Sequence, residues 1–161
     1  MPRLKTNPQT QTDNYFAMRS DEHYNETRDC AVFAVMHATG VNYPTAHAAC
    51  AAHGRKDRQG MRTHHINDTI RSLGFLVTRI GAHTFIDRYP GAHKHLRHIT
   101  THHPHRFHTV WADGKTYLFY IRGHVCVVKN GTLTDWTHQY AKRVLHVYEV
   151  WRFKQLHEFA Q

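Results

Sequence analysis

The 161-residue sequence predicts an α+β fold, with its helices in the first half of the chain and most of its strands in the second. Helix start and stop residues bracket three segments of the first half. Short runs of β-branched and aromatic residues fill the second half around the turn pairs Asp113-Gly114 and Asn130-Gly131. A chain of this length forms one domain with its own core. We therefore expect three helices packed on a mostly antiparallel C-terminal sheet.

The first predicted helix, residues 29 to 39, is apolar on nearly every side. Asp29 is a good N-cap, and Gly40 is a good residue for ending a helix. A helix that is apolar all round is buried on most sides, so this one should lie at the centre of the fold. Two further helices are expected, from Pro44 or Thr45 to about His53, and from Thr63, as the cap, to Gly74.

The predicted strands follow the third helix. Each is rich in β-branched or aromatic residues, and the two turn pairs join four of them into two hairpins. The expected strands are residues 75–80, then 106–111 with 116–122, then 124–129 with 132–136, and finally 144–153, with a short helical turn at 84–88.

Cys30 is the first candidate functional residue, because it should occupy the first position of the central helix. The amide groups and the dipole at a helix N-terminus favour a thiolate and lower a cysteine pKa from about 8.5 toward neutral. Most free cysteines are small buried apolar residues, and that interpretation also fits Cys30 taken alone. A general base positioned to accept the thiol proton would favour the interpretation of Cys30 as a nucleophile.

His124 is the candidate base, at the start of the strand that precedes Asn130-Gly131. If that pair forms the turn, Lys129 faces Thr132. His124 and Asp135 then lie on one face as diagonal neighbours within side-chain reach. A carboxylate on one imidazole nitrogen orients the ring and leaves the other nitrogen to accept a thiol proton. The alternative is an ordinary hairpin with a polar residue at its open end, since the chain has 18 histidines.

Three segments resemble the papain-like cysteine peptidases, in particular the small single-domain type found in bacteria and their phages and plasmids. They are Asp29-Cys30-Ala-Val-Phe-Ala34, Ala38-Thr39-Gly40-Val-Asn-Tyr43 and Gly123-His124-Val-Cys-Val-Val128-Lys-Asn130-Gly131. The resemblance covers about residues 25 to 80 and 117 to 136. It implies a papain-like fold and a catalytic triad with Cys30 as nucleophile, His124 as general base and Asp135 as the orienting acid.

The same resemblance implies an oxyanion donor just upstream of the nucleophile. The position six residues before Cys30 is Tyr24, with Asn25 one step nearer. The backbone N–H of Cys30 is a second donor, because a helix N-terminus stabilises an oxyanion without a side chain. Gly123 and Trp136 are candidate residues of the substrate cleft. The expected reaction is hydrolysis of a peptide, isopeptide or related amide bond in a protein or peptide substrate, without a cofactor.

The composition bears on partners and location. Lys and Arg outnumber Asp and Glu by 21 to 12, and the net charge of +9 favours acidic partners, nucleic acid among them. No apolar run approaches the roughly 20 residues that span a bilayer, so we expect no membrane partner, and we expect no signal peptide. Three widely spaced cysteines do not make a disulfide framework. We therefore expect a reducing cytoplasm, or packaging in a phage particle.

Two segments have a composition of their own. Residues 1–20 are expected to form a basic arm, flexible or docked on a partner, ahead of a single domain at 21–161. Residues 91–108 form a His-rich insertion whose seven histidines match no standard metal-ligand spacing. No metal is therefore expected, and contact with an assembly partner or a response to pH is the better interpretation.

Two functions of other classes remain open. One is a phage virion or assembly protein that keeps the papain-like scaffold with reduced or no catalysis, and docks through the basic arm and the His-rich insertion. The other is a basic nucleic-acid-binding protein. No DNA-reading motif is recognisable, however, and the basic residues are scattered rather than arranged in a stripe.

Overall fold

The computed structural model describes residue 15 and residues 18–21, 23–80, 98–99, 114–130, 132–134 and 142–152. Over these residues the chain has the predicted α+β architecture, in which helices pack on an antiparallel sheet. The helices are α1 (Cys30–Thr39), α2 (Tyr43–Ala52) and α3 (Thr63–Ser72). Each begins within two residues of its predicted start, so the helix signals in the sequence are reliable here.

Capping explains where the helices begin and end. Gly40 ends α1 in the left-handed conformation (φ 81°), as predicted. The second helix begins earlier than predicted because the Asn42 side chain accepts a hydrogen bond of 3.0 Å from the Thr45 N–H and so acts as its N-cap. Arg62 occupies the N-cap position of α3, and its side chain makes no capping hydrogen bond. The predicted Thr63 cap is therefore wrong, since Thr63 is already helical.

The sheet is antiparallel throughout the described strands. Its strands are β1 (Phe75–Arg79), β2 (His98–Ile99), β3 (Thr116–Ile121), β4 (His124–Lys129), β5 (Thr132–Thr134) and β6 (Lys142–Arg152). Their order is β1-β6-β3-β4-β5, and β2 pairs with β6. With 11 residues, β6 is long enough to pair with β2 near its start and with β1 near its end.

The predicted hairpin at Asn130-Gly131 is confirmed. Lys129 pairs with Thr132, the register expected from a two-residue turn, and Asn130 adopts a left-handed φ of 47°. The Asn130 side chain also accepts a hydrogen bond of 2.9 Å from the Gly114 N–H. The turn that leads out of β4 is therefore tied to the segment that leads into β3.

The predicted pairing of residues 106–111 with 116–122 across Asp113-Gly114 is wrong. β3 pairs with β4 along one edge and with β6 along the other, so neither edge is left for a further strand. β3 instead continues into β4 through a two-residue turn at Arg122-Gly123, where Gly123 has a positive φ of 72°. Arg-Gly is a weaker hairpin signal than Asp-Gly, and here the weaker signal marks the turn.

Both faces of the central strands are buried. Successive side chains of a strand point to opposite faces, so β3 and β4 each contribute to both. The face that packs on the helices carries Leu118, Tyr120, Val125 and Val127. The opposite face carries Tyr117, Phe119, Ile121, Cys126 and Val128, all buried. The strand that bears His124 is therefore apolar on both sides.

Two residues of the segment predicted as an N-terminal arm, Tyr15 and Arg19, pack against the core. Tyr15 is fully buried, and its ring packs edge-on against Phe33 of α1 with the ring centroids 4.6 Å apart. The Arg19 guanidinium lies over the same tyrosine ring, 5.6 Å from its centroid. Both residues belong to the folded domain, because a buried aromatic ring stabilises the core through its area and its edge-to-face contact.

Several predictions fall on residues outside the described ones. These are the helical turn at 84–88, the strand at 106–111 and most of the His-rich insertion, of which the His98–Ile99 strand is described. In the part of the chain that the structure describes, no helix combines the length and the apolar character needed to cross a membrane.

Candidate active site around Cys30

Cys30 occupies the first position of α1, as the sequence predicts. Its side chain is half-buried, whereas Cys50 and Cys126 are fully buried. Every residue of α1 after Cys30 is buried as well, so α1 is the central helix that its apolar composition predicts. Of the three cysteines, Cys30 is the one whose side chain is partly exposed to solvent.

A buried carboxylate anchors the residue that precedes Cys30. Asp29 accepts hydrogen bonds from the hydroxyl groups of Tyr15 (2.7 Å) and Tyr43 (3.2 Å). It also pairs with the Arg19 guanidinium at 3.0 Å. Burial and the Asp29 charge raise the pKa of both tyrosines well above their usual value, so both hydroxyls stay protonated and donate.

These partners change the role expected of Asp29. It lies at the N-cap position of α1, but its side chain makes no capping hydrogen bond, which corrects the prediction that it caps the helix. Its backbone carbonyl does accept the first helical hydrogen bond, from the Phe33 N–H at 3.0 Å. The amide groups of the first turn are therefore not satisfied by this carboxylate, which suits an oxyanion-binding role beside Cys30.

Cys50 and Tyr120 are two buried titratable groups whose pKa values are raised by burial and in part by Cys30. Burial raises the pKa of Cys50 to about 12, and burial also raises the pKa of Tyr120 well above its usual value. The Tyr120 hydroxyl donates a hydrogen bond of 2.8 Å to Oδ1 of Asn67. Both groups are neutral at neutral pH, so neither serves as the base for Cys30.

α1 packs beside β4. At its start, Cys30 interacts with Tyr120, whose partner across the β3–β4 ladder is Val125. Near its end, the buried His37 interacts with the charge of Lys129, the last residue of β4. α1 therefore covers the face of the sheet to which Tyr120 and Val125 belong.

The two faces of the sheet separate His124 from Cys30. His124 is half-buried at the first position of β4. Strand alternation places it on the face of Cys126, whereas α1 packs on the face of Val125. The structure thus places the predicted nucleophile on one face of the sheet and the predicted base on the other.

The other predicted site residues lie before α1, in the β3–β4 turn, or outside the described residues. Asn25 is exposed and has a left-handed φ of 41°, and its N–H donates to the Asp21 carbonyl at 2.7 Å. Gly123 lies in the β3–β4 turn, where an added Cβ would meet nothing within 4 Å, so the space beside the turn is open. Asp135 and Trp136 lie outside the described residues.

Sequence reasoning missed a second buried carboxylate, Glu26, four residues before Cys30. Glu26 pairs with the buried Arg55 guanidinium and accepts a hydrogen bond of 2.9 Å from the Arg58 N–H. The ring of His47 lies beside it, with Nε2 3.7 Å from a Glu26 carboxylate oxygen. An acidic residue in a polar run is ordinarily exposed, so no local signal marks Glu26 as buried.

The papain-like resemblance rests on the sequence motifs around Cys30 and His124. No protein-family model matches the chain, and neither does any curated protein or any solved structure. A function for the protein is therefore proposed from the chemistry of Cys30 and the residues around it.

Proposed function

We propose that the protein is a thiol hydrolase of the papain-like type, which cleaves a peptide, isopeptide or related amide bond. The observation that carries this proposal is the position of Cys30, which is half-buried at the first residue of an otherwise buried helix. A cysteine that only fills the core has no need of this position. A nucleophile needs both access to substrate and the electrostatic effect of a helix N-terminus.

In the proposed reaction the Cys30 thiolate attacks the substrate carbonyl and forms a thioester, while the amine leaves. His124 takes the thiol proton and gives it to the leaving amine, and water then hydrolyses the thioester. The Cys30 backbone N–H donates to the oxyanion of the intermediate, as the uncapped first turn of α1 favours. Asp135 has the role of orienting His124. A reducing compartment such as the cytoplasm would keep the thiol active.

This mechanism requires the His124 ring to reach Cys30 past the β3–β4 turn. His124 adjoins Gly123, beside whose Cα the space is open. Catalytic hydrogen bonds are often long or poorly aligned before substrate binds, and they tighten in the complex. The proposal therefore includes a rotation of the His124 side chain on substrate binding.

The rate at which iodoacetamide alkylates Cys30 tests the proposal. We expect Cys30 to react about tenfold faster than a model thiol at pH 7, because a base that takes the thiol proton makes the sulfur a better nucleophile. His124→Ala should remove most of this advantage. His64→Ala is the matched control, since His64 is exposed on α3 and should leave the rate unchanged. The buried Cys50 and Cys126 report any unfolding of a variant.

Two outcomes of this experiment would contradict the proposal. One is alkylation of Cys30 at the rate of the model thiol. The other is the same fast rate in wild type and His124→Ala, which would show that His124 does not act on the thiol. Mass spectrometry of digested protein assigns the alkylated residue in each case.

A scaffold without catalysis, as in a virion or assembly component, is the second candidate function. The face of β4 on which His124 lies favours it, because that face is turned away from α1. For such a protein, we expect Cys30 to react at a rate set by its exposure alone, with no effect of His124→Ala. Ordered copies of the chain in a purified particle would support the assembly role directly.

A further inference from the structure

We propose that Glu26, His47 and Asp57 bind a divalent metal ion of the zinc class. The three residues come from separate segments, namely the segment before α1, the helix α2 and the loop after α2. Each offers one ligand atom, and these three atoms lie within 4.8 Å of one another. Two carboxylates and one imidazole form a ligand set that zinc accepts, with a water molecule at the fourth position.

The separations between the ligand atoms fit one small ion. Nε2 of His47 lies 3.7 Å from Oε2 of Glu26 and 3.6 Å from Oδ1 of Asp57. Both distances are too long for a good hydrogen bond. Zinc held at about 2.0–2.2 Å by tetrahedral ligands places the ligand atoms about 3.3–3.5 Å apart. A movement on the order of 0.2 Å would therefore bring each carboxylate oxygen to the separation from Nε2 that a tetrahedral ion sets.

The ring nitrogen of His47 provides an independent observation. Nε2 is buried, and it has no hydrogen-bond partner among the described residues. A buried nitrogen in this state costs free energy, which a metal–nitrogen bond would offset. The ring packs against Tyr24 and Tyr43, with centroids 4.8 and 5.7 Å from its own. These contacts hold Nε2 toward the two carboxylates.

The net charge of the side chains at the site also favours binding of a cation. Glu26 and Asp57 contribute two negative charges, and Arg55, which pairs with Glu26, contributes one positive charge, so the net charge is −1. Asp57 is exposed, with 64 % of its side-chain surface accessible, so the fourth position faces water.

A bound ion would join the segment before α1 to α2 and to the loop that follows it. Glu26 lies four residues before Cys30, so the ion would help to fix the approach to the candidate nucleophile. Because the ligands come from segments far apart in the chain, the unfolded state does not contain the site. Metal binding should therefore stabilise the folded protein.

Zinc titration of the full-length protein tests the proposal, with Asp57→Asn as the variant and Asp68→Asn as the matched control. Both aspartates are exposed, and Asp68 lies on α3 in an ion pair with Arg71. The His-rich insertion is identical in all three proteins, so zinc binding there cancels in the comparison. We expect one zinc ion to bind about tenfold or more weakly in Asp57→Asn, because even a lost outer-shell partner costs about 10–100-fold.

X-ray absorption at the zinc edge of the one-to-one complex gives a second measurement. We expect a first shell with one imidazole and oxygen ligands, and we expect His47→Gln to remove the imidazole contribution. Equal zinc affinity in Asp57→Asn and Asp68→Asn, or a shell of several imidazoles, would overturn the proposal. Either result would place the bound zinc on other histidines.

Discussion

Two buried carboxylates, Glu26 and Asp29, stand in the segment that leads into α1, and their surroundings differ. Asp29 receives two tyrosine hydroxyls and a guanidinium. Glu26 receives a guanidinium and a backbone N–H, and beside it lies an imidazole nitrogen that is hydrogen-bonded to neither carboxylate. The Asp29 cluster is thus a closed structural anchor, whereas the Glu26 cluster has capacity for a further ligand.

The difference shows how the start of α1 is held. From Ala31 onward α1 is fixed by apolar packing, because each of its residues is buried. The segment before Cys30 is fixed by charges instead, with Asp29 bonded to the N-terminal segment and to α2, and Glu26 bonded to the loop after α2. The candidate nucleophile lies at the boundary between these two kinds of contact.

Glu26→Leu should cause the largest loss of stability. It leaves the Arg55 guanidinium, only 1 % exposed, without its partner, and breaking a buried ion pair in this way costs about 3–5 kcal/mol. Urea unfolding in the presence of a chelator measures the loss without a contribution from metal. The double variant Glu26→Leu/Arg55→Met removes both charges and should recover most of it. If the double variant is as unstable as the single one, lost packing and not the orphaned charge is the cause.

His37 is a buried titratable residue of α1 that has, among the described residues, no oppositely charged partner of the kind that Glu26 and Asp29 have, and its pKa is shifted. Burial, with a smaller contribution from the Lys129 charge, lowers the pKa of His37 to about 4. The unfolded chain takes up this proton near pH 6.5, so the contribution of His37 to stability is fully present above that pH and is lost as the pH falls toward 4. A difference of this size corresponds to about 3 kcal/mol.

His37→Phe should therefore flatten the pH dependence of the free energy of unfolding between pH 4 and 6.5. The aromatic ring keeps a contact with Phe33, whose centroid is 4.2 Å from that of His37. His64→Ala is the control, because His64 is exposed and should leave the slope unchanged. An equal slope in His37→Phe and wild type would mean that His37 is not the group that titrates.

Local sequence signals correctly predicted the helices and the hairpin at Asn130-Gly131. The predictions that failed did so because residues distant in the chain compete for the same hydrogen-bonding groups or strand edges. Gly40 and Asn130-Gly131 act on their own neighbours, so their effects were predictable. Asp29 was expected to cap α1, but donors from Tyr15 and Tyr43, each 14 residues away, bond to its carboxylate instead. The hairpin expected at Asp113-Gly114 failed in the same way, since β6 occupies the edge of β3 that this hairpin needed.

For the candidate site, the sequence predicted the position of each residue within its own helix or strand, but not how the helix and the strand are placed relative to each other. The position of Cys30 follows from the apolar pattern of α1 and its stop residue. The face on which His124 lies depends on which side of the sheet α1 covers, and β4 does not reveal this because both of its faces are apolar. Val125 and Val127 pack on the helices, while Cys126 and Val128 are equally buried on the other face. Strand alternation alone could not choose between them.

Tyrosine-to-phenylalanine variants at the Asp29 cluster should have smaller and graded effects, because this carboxylate has several donors. The Tyr15 hydroxyl donates at 2.7 Å and the Tyr43 hydroxyl at 3.2 Å. A hydrogen bond to a charged group contributes about 1.5–3 kcal/mol, so Tyr15→Phe should cost about 2 kcal/mol, with a smaller cost for Tyr43→Phe. Phenylalanine keeps the ring contact of Tyr15 with Phe33, and urea unfolding measures both variants.

The stability losses of Tyr15→Phe and Tyr43→Phe, compared with that of Glu26→Leu, test the difference between the Asp29 and Glu26 clusters. Arg19 still compensates Asp29 in either variant, so neither loss should approach that of Glu26→Leu, which leaves Arg55 without its carboxylate. A loss in Tyr15→Phe as large as that in Glu26→Leu would show that the hydroxyl, and not the guanidinium, keeps the Asp29 charge stable in the core. In that case the Asp29 cluster would depend on one bond, and its redundancy of donors would not explain why it holds α1.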